Sequence, residues 1–164
     1  MNIDLRGVFS GRIKELPISE KLDFSDLKLN GTTPIASLVS VDCNIAKKAD
    51  IVKIEGKAEF LYKAPCDRCA TVTEREFEIP IDHIIVNSVE NEDEEDFIVS
   101  ENMELDLLEL VRTDISLGIP YLFLCKNDCK GVCAGCGKNL NKEECSCEKE
   151  FDPRLADLSK FFEN

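Results

Sequence analysis

Eight of the chain's nine cysteines fall into four close pairs: Cys66-Asp-Arg-Cys69, Cys125-Lys-Asn-Asp-Cys129, Cys133-Ala-Gly-Cys136 and Cys145-Ser-Cys147. No other feature limits the fold as strongly. Two thiolates on one short turn can grip the same ion, and four complete the closed tetrahedral shell of a structural zinc site. Four pairs therefore suffice for two sites. The ninth, Cys43, stands alone in an apolar alternating segment.

The clearer site joins Cys133 and Cys136 to Cys145 and Cys147. Gly137 tolerates positive φ, which lets backbone N–H groups turn toward sulfur, and a short polar spacer at 138–142 returns the chain to the metal. The second site follows by subtraction from Cys66, Cys69, Cys125 and Cys129. Zinc there would staple a hairpin tip to the segment leaving a helix. An alternative partition gives one zinc to Cys129, Cys133, Cys136 and Cys147 and leaves the rest free. The even count favours two structural sites. A shell of four sulfurs keeps no position for a reactive water, so a non-enzymatic role is expected, with no small-molecule substrate. Metal content with one reactive thiol is the expected signature.

The rival to metal is sulfur redox chemistry. The amino terminus, MNIDLRGVFSGRIKELP, lacks the pattern of a secretory signal, and no run is long and apolar enough to span a membrane. A cytoplasmic address follows as an expectation, and it keeps thiols reduced. One residue between Cys145 and Cys147 is also an awkward spacing for a mutual disulfide. Cys66 and Cys69, with Arg68 beside them, suit a redox dithiol better, which leaves a thiol-redox or metal-buffering protein as the alternative function. Thioredoxin-like sites, however, sit at a helix start within a βαβ pattern that this sequence lacks.

Alternation organises the chain from Ile35 to Ile81. Ile35, Val39, Val41, Cys43 and Ile45 share one face of an expected strand, with Ser37 between them. After a turn at 47–50, Val52, Ile54, Ala58, Phe60 and Tyr62 point one way and Lys53, Glu55, Lys57, Glu59 and Lys63 the other. A third strand sets Thr73, Arg75, Phe77, Ile79 and Ile81 against Val72, Glu74, Glu76 and Glu78. Period-two patterning over consecutive segments predicts an α+β fold built on an antiparallel β-meander or a partly closed barrel with one wet face. The first 34 residues look mixed and turn-prone. Asp106 caps a packed helix carrying Leu107, Leu108, Val111 and Ile115, broadened by Leu110 and ended by Gly118 and Pro120. Asp152 and Pro153 open a short terminal amphipathic helix. The expected organisation is a β-rich core domain over 1–124 with its helix at 106–118, a cysteine-rich zinc module over 125–150 and a terminal helix over 151–164.

The formal net charge is −13. Two all-cysteine zinc sites carry it to about −17, since each adds four thiolates and one divalent ion. Such a chain repels a phosphate backbone at long range and attracts a basic protein. Glu92, Asp93, Glu94 and Glu95, in an acidic block, and Leu158, Phe161 and Phe162, on the terminal helix, are the candidate partner-binding residues. Lys47, Lys48, Lys63 and Arg68 are the candidate nucleic-acid contacts, without an aromatic platform beside them. The lysines among Lys53, Lys57 and Lys63 are expected to pair with acids across strands. His83, among Ile81, Ile84 and Ile85, reads as a packed strand residue rather than a base or ligand.

Three motifs resemble one family. They are Cys66-Asp-Arg-Cys69 after a strand; Leu105-Asp-Leu-Leu-Glu-Leu-Val111 running to Ile119-Pro120; and Cys125-x3-Cys129-Lys-Gly-Val-Cys133-x2-Cys136-Gly-Lys-Asn-Leu-Asn141-x3-Cys145-x-Cys147, followed by Asp152-Pro-Arg-Leu155. The sequence resembles the YceD family of bacterial and chloroplast proteins, named for large ribosomal RNA subunit accumulation. The resemblance implies a non-enzymatic part in large-subunit ribosomal RNA accumulation and hence ribosome biogenesis; within that role the charge favours a basic ribosomal protein or pre-ribosomal particle of the large subunit as partner, with ribosomal RNA contacted indirectly. Family members differ in how many tail cysteines they keep, which implies that the two metal sites are separable.

Overall fold

The alternating segments form strands, and the strands form an open sheet. The structure is a computed structural model that describes residues 1–48, 51–87, 97–100 and 102–147. Its elements run β1 (Asn2–Asp4), α1 (Arg6–Phe9), β2 (Glu15–Leu22), β3 (Val39–Lys48), β4 (Ile51–Pro65), β5 (Val72–Val86), β6 (Phe97–Val99), β7 (Glu104–Asp106) and α2 (Leu107–Gly118). The chain divides into two units. One holds Met1–Ala64 and Val72–Phe123, and the other holds Pro65–Thr71 and the chain from Leu124 onward.

In the first unit the strand order is β2-β3-β4-β5-β6, and β1 pairs separately with β7. Strands β3 and β4 are antiparallel, with Val41 opposite Ala58 and Ile45 opposite Ile54. One face of these strands is buried. Val39, Val41, Ile45, Ile54, Ala58 and Ile85 are wholly inaccessible. Leu5 and Val8 from the α1 region and Leu107, Val111 and Ile115 from α2 belong to the same core. Burying each such aliphatic side chain contributes about 1.5–3 kcal/mol. The opposite face is charged and laced by Lys53–Asp82, Lys57–Glu78 and Lys63–Glu74 ion pairs, the cross-strand pairing that the alternation predicts. Tyr62 packs edge-on against Phe77 and Phe123 at 5.4 and 4.9 Å between centroids.

Gly56 faces Cys43 across β3 and β4. A Cβ there would lie 2.3 Å from the Asp42 carbonyl oxygen and 2.4 Å from the Cys43 Cα, so the two strands meet in this register only with glycine at that position. Asn30 and Gly31, with φ of 50° and 79°, make the two-residue turn that lets Leu29 and Thr32 exchange both backbone hydrogen bonds. Two successive positive φ values are what Asn-Gly supplies most readily.

Several expectations need correction. The sheet does not close into a barrel. Strands β2 and β6 remain edges, because α2 and the segment around α1 cover the apolar face that closure would otherwise bury. The meander gains two strands. The first 34 residues are not merely mixed, since they contribute β2 along β3. Pro17 and Glu20 interrupt the alternation of β2, and an edge strand tolerates both. Strand β6 lies parallel to β5. Strand β3 begins at Val39 rather than Ile35, which instead makes an isolated bridge to Tyr62. Lys47 and Lys48 lie within β3 rather than in a turn.

The helix forms where its cap predicts. Asp106 Oδ1 accepts from the Leu108 and Glu109 N–H groups at 3.0 and 3.4 Å. Its buried positions are Leu107, Leu110, Val111, Asp114 and Ile115, so Leu110 takes the central place expected for Leu108. The terminal helix over 151–164 lies outside the described residues.

Candidate metal centres

Each Cys-x-x-Cys pair forms a tight turn, and the two turns repeat one another. In the hairpin tip, the Ala70 N–H donates to the Cys66 carbonyl at 2.8 Å and the Cys66 N–H to the Thr71 carbonyl at 2.9 Å. At the same offsets, the Gly137 N–H donates to the Cys133 carbonyl and the Cys133 N–H to the Lys138 carbonyl, both at 2.8 Å. Ala70 and Gly137 occupy equivalent positions with φ of 55° and 72°. The positive φ expected at Gly137 is present. Its N–H closes the turn on a carbonyl, while those of Cys136 and Gly135 face the Cys133 sulfur.

The sulfurs gather into two groups of four, Cys66 with Cys69, Cys125 and Cys129, and Cys133 with Cys136, Cys145 and Cys147. Within each group every Sγ lies within 4.8 Å of the others. Specific separations are 3.8 Å for Cys66–Cys129, 3.6 Å for Cys69–Cys125, 3.4 Å for Cys136–Cys145 and 3.3 Å for Cys145–Cys133. Zn–S bonds of about 2.3 Å give a tetrahedral edge of about 3.8 Å, whereas a disulfide needs about 2.05 Å. All nine cysteines are free thiols. Size and donor chemistry therefore fit a borderline-soft ion. The partition is the one obtained by subtraction, and the alternative grouping of Cys129 with Cys133, Cys136 and Cys147 is not formed.

Backbone and side-chain donors already favour thiolate at one end of each group. The Thr71 hydroxyl and N–H hold Cys69 down at about 6, from an ordinary 9.0. The Cys136 N–H, the Cys145 side chain and the Gly135 N–H bring Cys133 to about 6 as well. Burial opposes ionisation of Cys66, but N–H groups of Cys125, Arg68 and Cys69 outweigh it and lower its thiol. The last proton is harder to remove. Burial, with Cys129 and Cys69 beside it, pushes Cys125 up to about 12, and Cys145 with Cys136 does the same to Cys147. A divalent cation reverses this penalty, because it replaces repulsion among thiolates with attraction.

The surroundings of the two groups differ. Cys66, Cys69 and Cys129 are 2%, 6% and 3% exposed, whereas Cys136 and Cys147 are open to solvent. Arg68 Nη1 donates to the Cys129 carbonyl at 3.1 Å. Asn139 and Asn141, which the sequence marks only as turn-formers, also reach the buried group. Asn141 Nδ2 is 3.3 Å from Cys129 Sγ, and Asn139 Nδ2 donates to Thr71 Oγ1 at 3.2 Å.

The remaining candidate residues scatter. Lys47 Nζ donates to the Phe9 carbonyl, Lys48 pairs with Glu55, and Lys63 pairs with Glu74. Lys47 and Lys48 sit beside Val52 and Ile51, so about 40 Å of strand separates them from Lys63 at the far end of β4. They do not form the single basic edge that the sequence suggests. His83 is half-buried on β5, with Nε2 at 2.9 and 3.0 Å from the two Asp114 carboxylate oxygens. Burial raises the Asp114 carboxyl above its ordinary range, against the pull of His83. Cys43 is the buried free thiol that the even cysteine count leaves over. Burial, with Asp42 nearby, drives it up to about 11. The acidic positions Glu92, Asp93, Glu94 and Glu95, and the apolar positions Leu158, Phe161 and Phe162, lie outside the described residues. No helix among the described residues is long and apolar enough to cross a membrane.

Fold and site together define a small α+β protein that combines an open sheet with a unit built on two four-cysteine centres. The family model described as YceD, large ribosomal RNA subunit accumulation protein, matches residues 54–162, and the chain belongs to that family. The matched segment contains all eight clustered cysteines. The "Large ribosomal RNA subunit accumulation protein YCED homolog 1, chloroplastic" of Arabidopsis thaliana is 40% identical over 47 residues, 29% of this chain and 15% of the plant protein. Uncharacterized proteins of Mycobacterium bovis and Mycobacterium tuberculosis are 23% identical over 128 residues, 74% of this chain. The chain spans 61% of the length of these mycobacterial relatives. No solved structure matches it.

Proposed function

We propose that this protein is a non-enzymatic zinc-binding factor that supports accumulation of large-subunit ribosomal RNA, and hence ribosome assembly, in the cytoplasm. The family match over 54–162, which takes in every clustered cysteine, carries the reading. The chemistry of the centres supports it. Four sulfurs around each ion leave no open coordination position for hydrolysis, so zinc acts by holding shape.

A basic ribosomal protein, free or within a pre-ribosomal particle, is the proposed partner. The net charge of −13 disfavours naked RNA, and Lys47, Lys48, Lys63 and Arg68 are already engaged within the protein. Glu92 to Glu95 would draw the partner in, with Leu158, Phe161 and Phe162 supplying apolar contact.

Deleting the gene and quantifying ribosomal RNA tests the role. The expected result is a fall in large-subunit RNA relative to small-subunit RNA, restored by the wild-type gene; an unchanged ratio overturns it. Affinity purification in high salt, with mass spectrometry and RNA sequencing, tests the partner. Recovery of bare ribosomal RNA without a ribosomal protein reverses that assignment. The thiol-redox alternative draws on the low Cys69 and Cys133 thiols. It predicts dithiol turnover in place of about two stably bound zinc ions per chain.

A further inference from the structure

The loop that closes the exposed centre also furnishes the outer shell of the buried one. Asn139 and Asn141 lie between Cys136 and Cys145, yet both amides turn to the Cys66, Cys69, Cys125 and Cys129 group. Their orientation is fixed by what their oxygens accept. Asn141 Oδ1 takes the Lys130 N–H at 2.9 Å, and Asn139 Oδ1 takes the Asn141 N–H at 2.9 Å and Asn141 Nδ2 at 3.0 Å. With the Asn139 oxygen satisfied from inside the loop and the Asn141 oxygen by Lys130, each NH2 is left to face the buried centre. Asn141 Nδ2 reaches Cys129 Sγ directly at 3.3 Å. Asn139 Nδ2 donates to Thr71 Oγ1 at 3.2 Å, and that hydroxyl lies 3.3 Å from Cys69 Sγ. Asn139 therefore reaches Cys69 through the Thr71 oxygen, which also accepts from the Cys69 thiol.

The same loop is pinned at both ends by cysteines of the exposed centre. Its backbone is tied back by the Cys133 N–H to the Lys138 carbonyl and the Leu140 N–H to the Gly131 carbonyl, at 2.8 and 2.9 Å. Gly131, with φ of +76°, lies so close to Arg68 that a Cβ would stand 3.1 Å from the Arg68 carbonyl oxygen. Whatever orders the loop therefore also places the two amides.

We infer that Asn139 and Asn141 are positioning residues for the buried centre, so that filling the exposed centre tightens the hold of the buried one on its ion. The inference rests on the metal reading above. Outer-shell groups that orient metal ligands commonly change affinity 10–100-fold. Linkage makes the effect reciprocal, so an ion in the buried centre favours loading of the exposed one by the same factor.

The test uses the full-length protein loaded with zinc, competed against a chromogenic chelator, and in parallel with cadmium-113 for magnetic resonance. Two resonances are expected, and Cys136→Ser, which opens the exposed centre, assigns them by removing one. Asn139→Ala deletes one amide, and Asn141→Asp sets a carboxylate against Cys129 while keeping the side chain's size. Each of the three variants is expected to weaken the buried centre 10–100-fold. Asn141→Asp is expected to move the buried centre's cadmium resonance and leave the other in place. Two ions bound in the wild type, with the buried centre's affinity unchanged in all three variants, overturns the positioning role and the coupling and leaves the metal reading standing. Equal weakening of both centres by Asn141→Asp overturns the positioning role, because it reports general loss of structure. A wild-type chain that binds no metal removes both the metal reading and this inference.

Discussion

The sheet unit and the cysteine unit are stabilised by different chemistry. The first buries isoleucine, valine, leucine and phenylalanine from five strands and two helices in one apolar core. Among the described residues, the second has a buried cluster of Cys66, Cys69 and Cys129, with Leu124 and Cys125 packed against it. The hydrophobic effect scales with area removed from water, and the few apolar side chains described in this cluster offset little of the cost of ordering the chain around them. On the proposed metal binding, sulfur–metal bonds would supply the difference, as they do in other modules too small for a core of their own. The comparison teaches that one polypeptide can lose one part of its structure while keeping the other.

Chelation is the strongest way to break this comparison. A structural zinc supplies on the order of 10 kcal/mol to a small module, so stripping the metal is expected to abolish protease resistance after Leu124 while the sheet's circular dichroism persists. Loss of both signals together would show that the units do not stand apart. Release is expected in two phases, the exposed centre first, and Cys136→Ser should remove the fast phase. The reverse experiment is Ile54→Ala. Ile54 is wholly buried, and its truncation is expected to cost 2–5 kcal/mol in urea unfolding of the sheet with metal content unchanged.

Smaller effects separate the two centres. Cys69 has a hydroxyl partner, Thr71, where Cys136 has Lys138 at the matching place in the turn. A thiol lowered in the folded state contributes stability that is present above its ordinary 9.0 and lost as pH falls through about 6. Thr71→Val raises Cys69, so the buried centre should release its ion at a higher pH during acid titration, by a fraction of a pH unit, with the exposed centre unmoved. The smallest expected effect is a gain. Ala70 carries a φ of 55° at the position where the sister turn has Gly137. Ala70→Gly should stabilise the cysteine unit by about 0.5–1 kcal/mol of relieved strain, read as a rise in its thermal midpoint.

Much of the sheet was legible in the sequence because β3, β4 and β5 alternate cleanly between buried aliphatic and exposed charged residues. The helix was legible from Asp106 and the spacing of Leu107, Val111 and Ile115. Strand β2 was hidden because Pro17 and Glu20 break its period, and β6 because three residues, Phe97–Val99, are too few to show one. The grouping of the eight cysteines followed from pairing and subtraction. The roles of Thr71, Asn139 and Asn141 did not. Their side chains act across long sequence separations, and locally they carry only the signature of turns. The repeat of the two knuckles was equally silent, since Ala70 stands where a second glycine would have advertised it.

Cys43 gives the sheet a built-in clock. It is 7% exposed, faces a glycine that no larger residue can replace, and holds its proton up to about 11. At neutral pH it stays inert for as long as β3 and β4 remain paired. A thiol-reactive dye added to the metal-loaded protein would therefore label it only at the rate at which those strands part. The residue that takes no share in metal binding is thus the one that times, molecule by molecule, how often the rest of the chain comes undone.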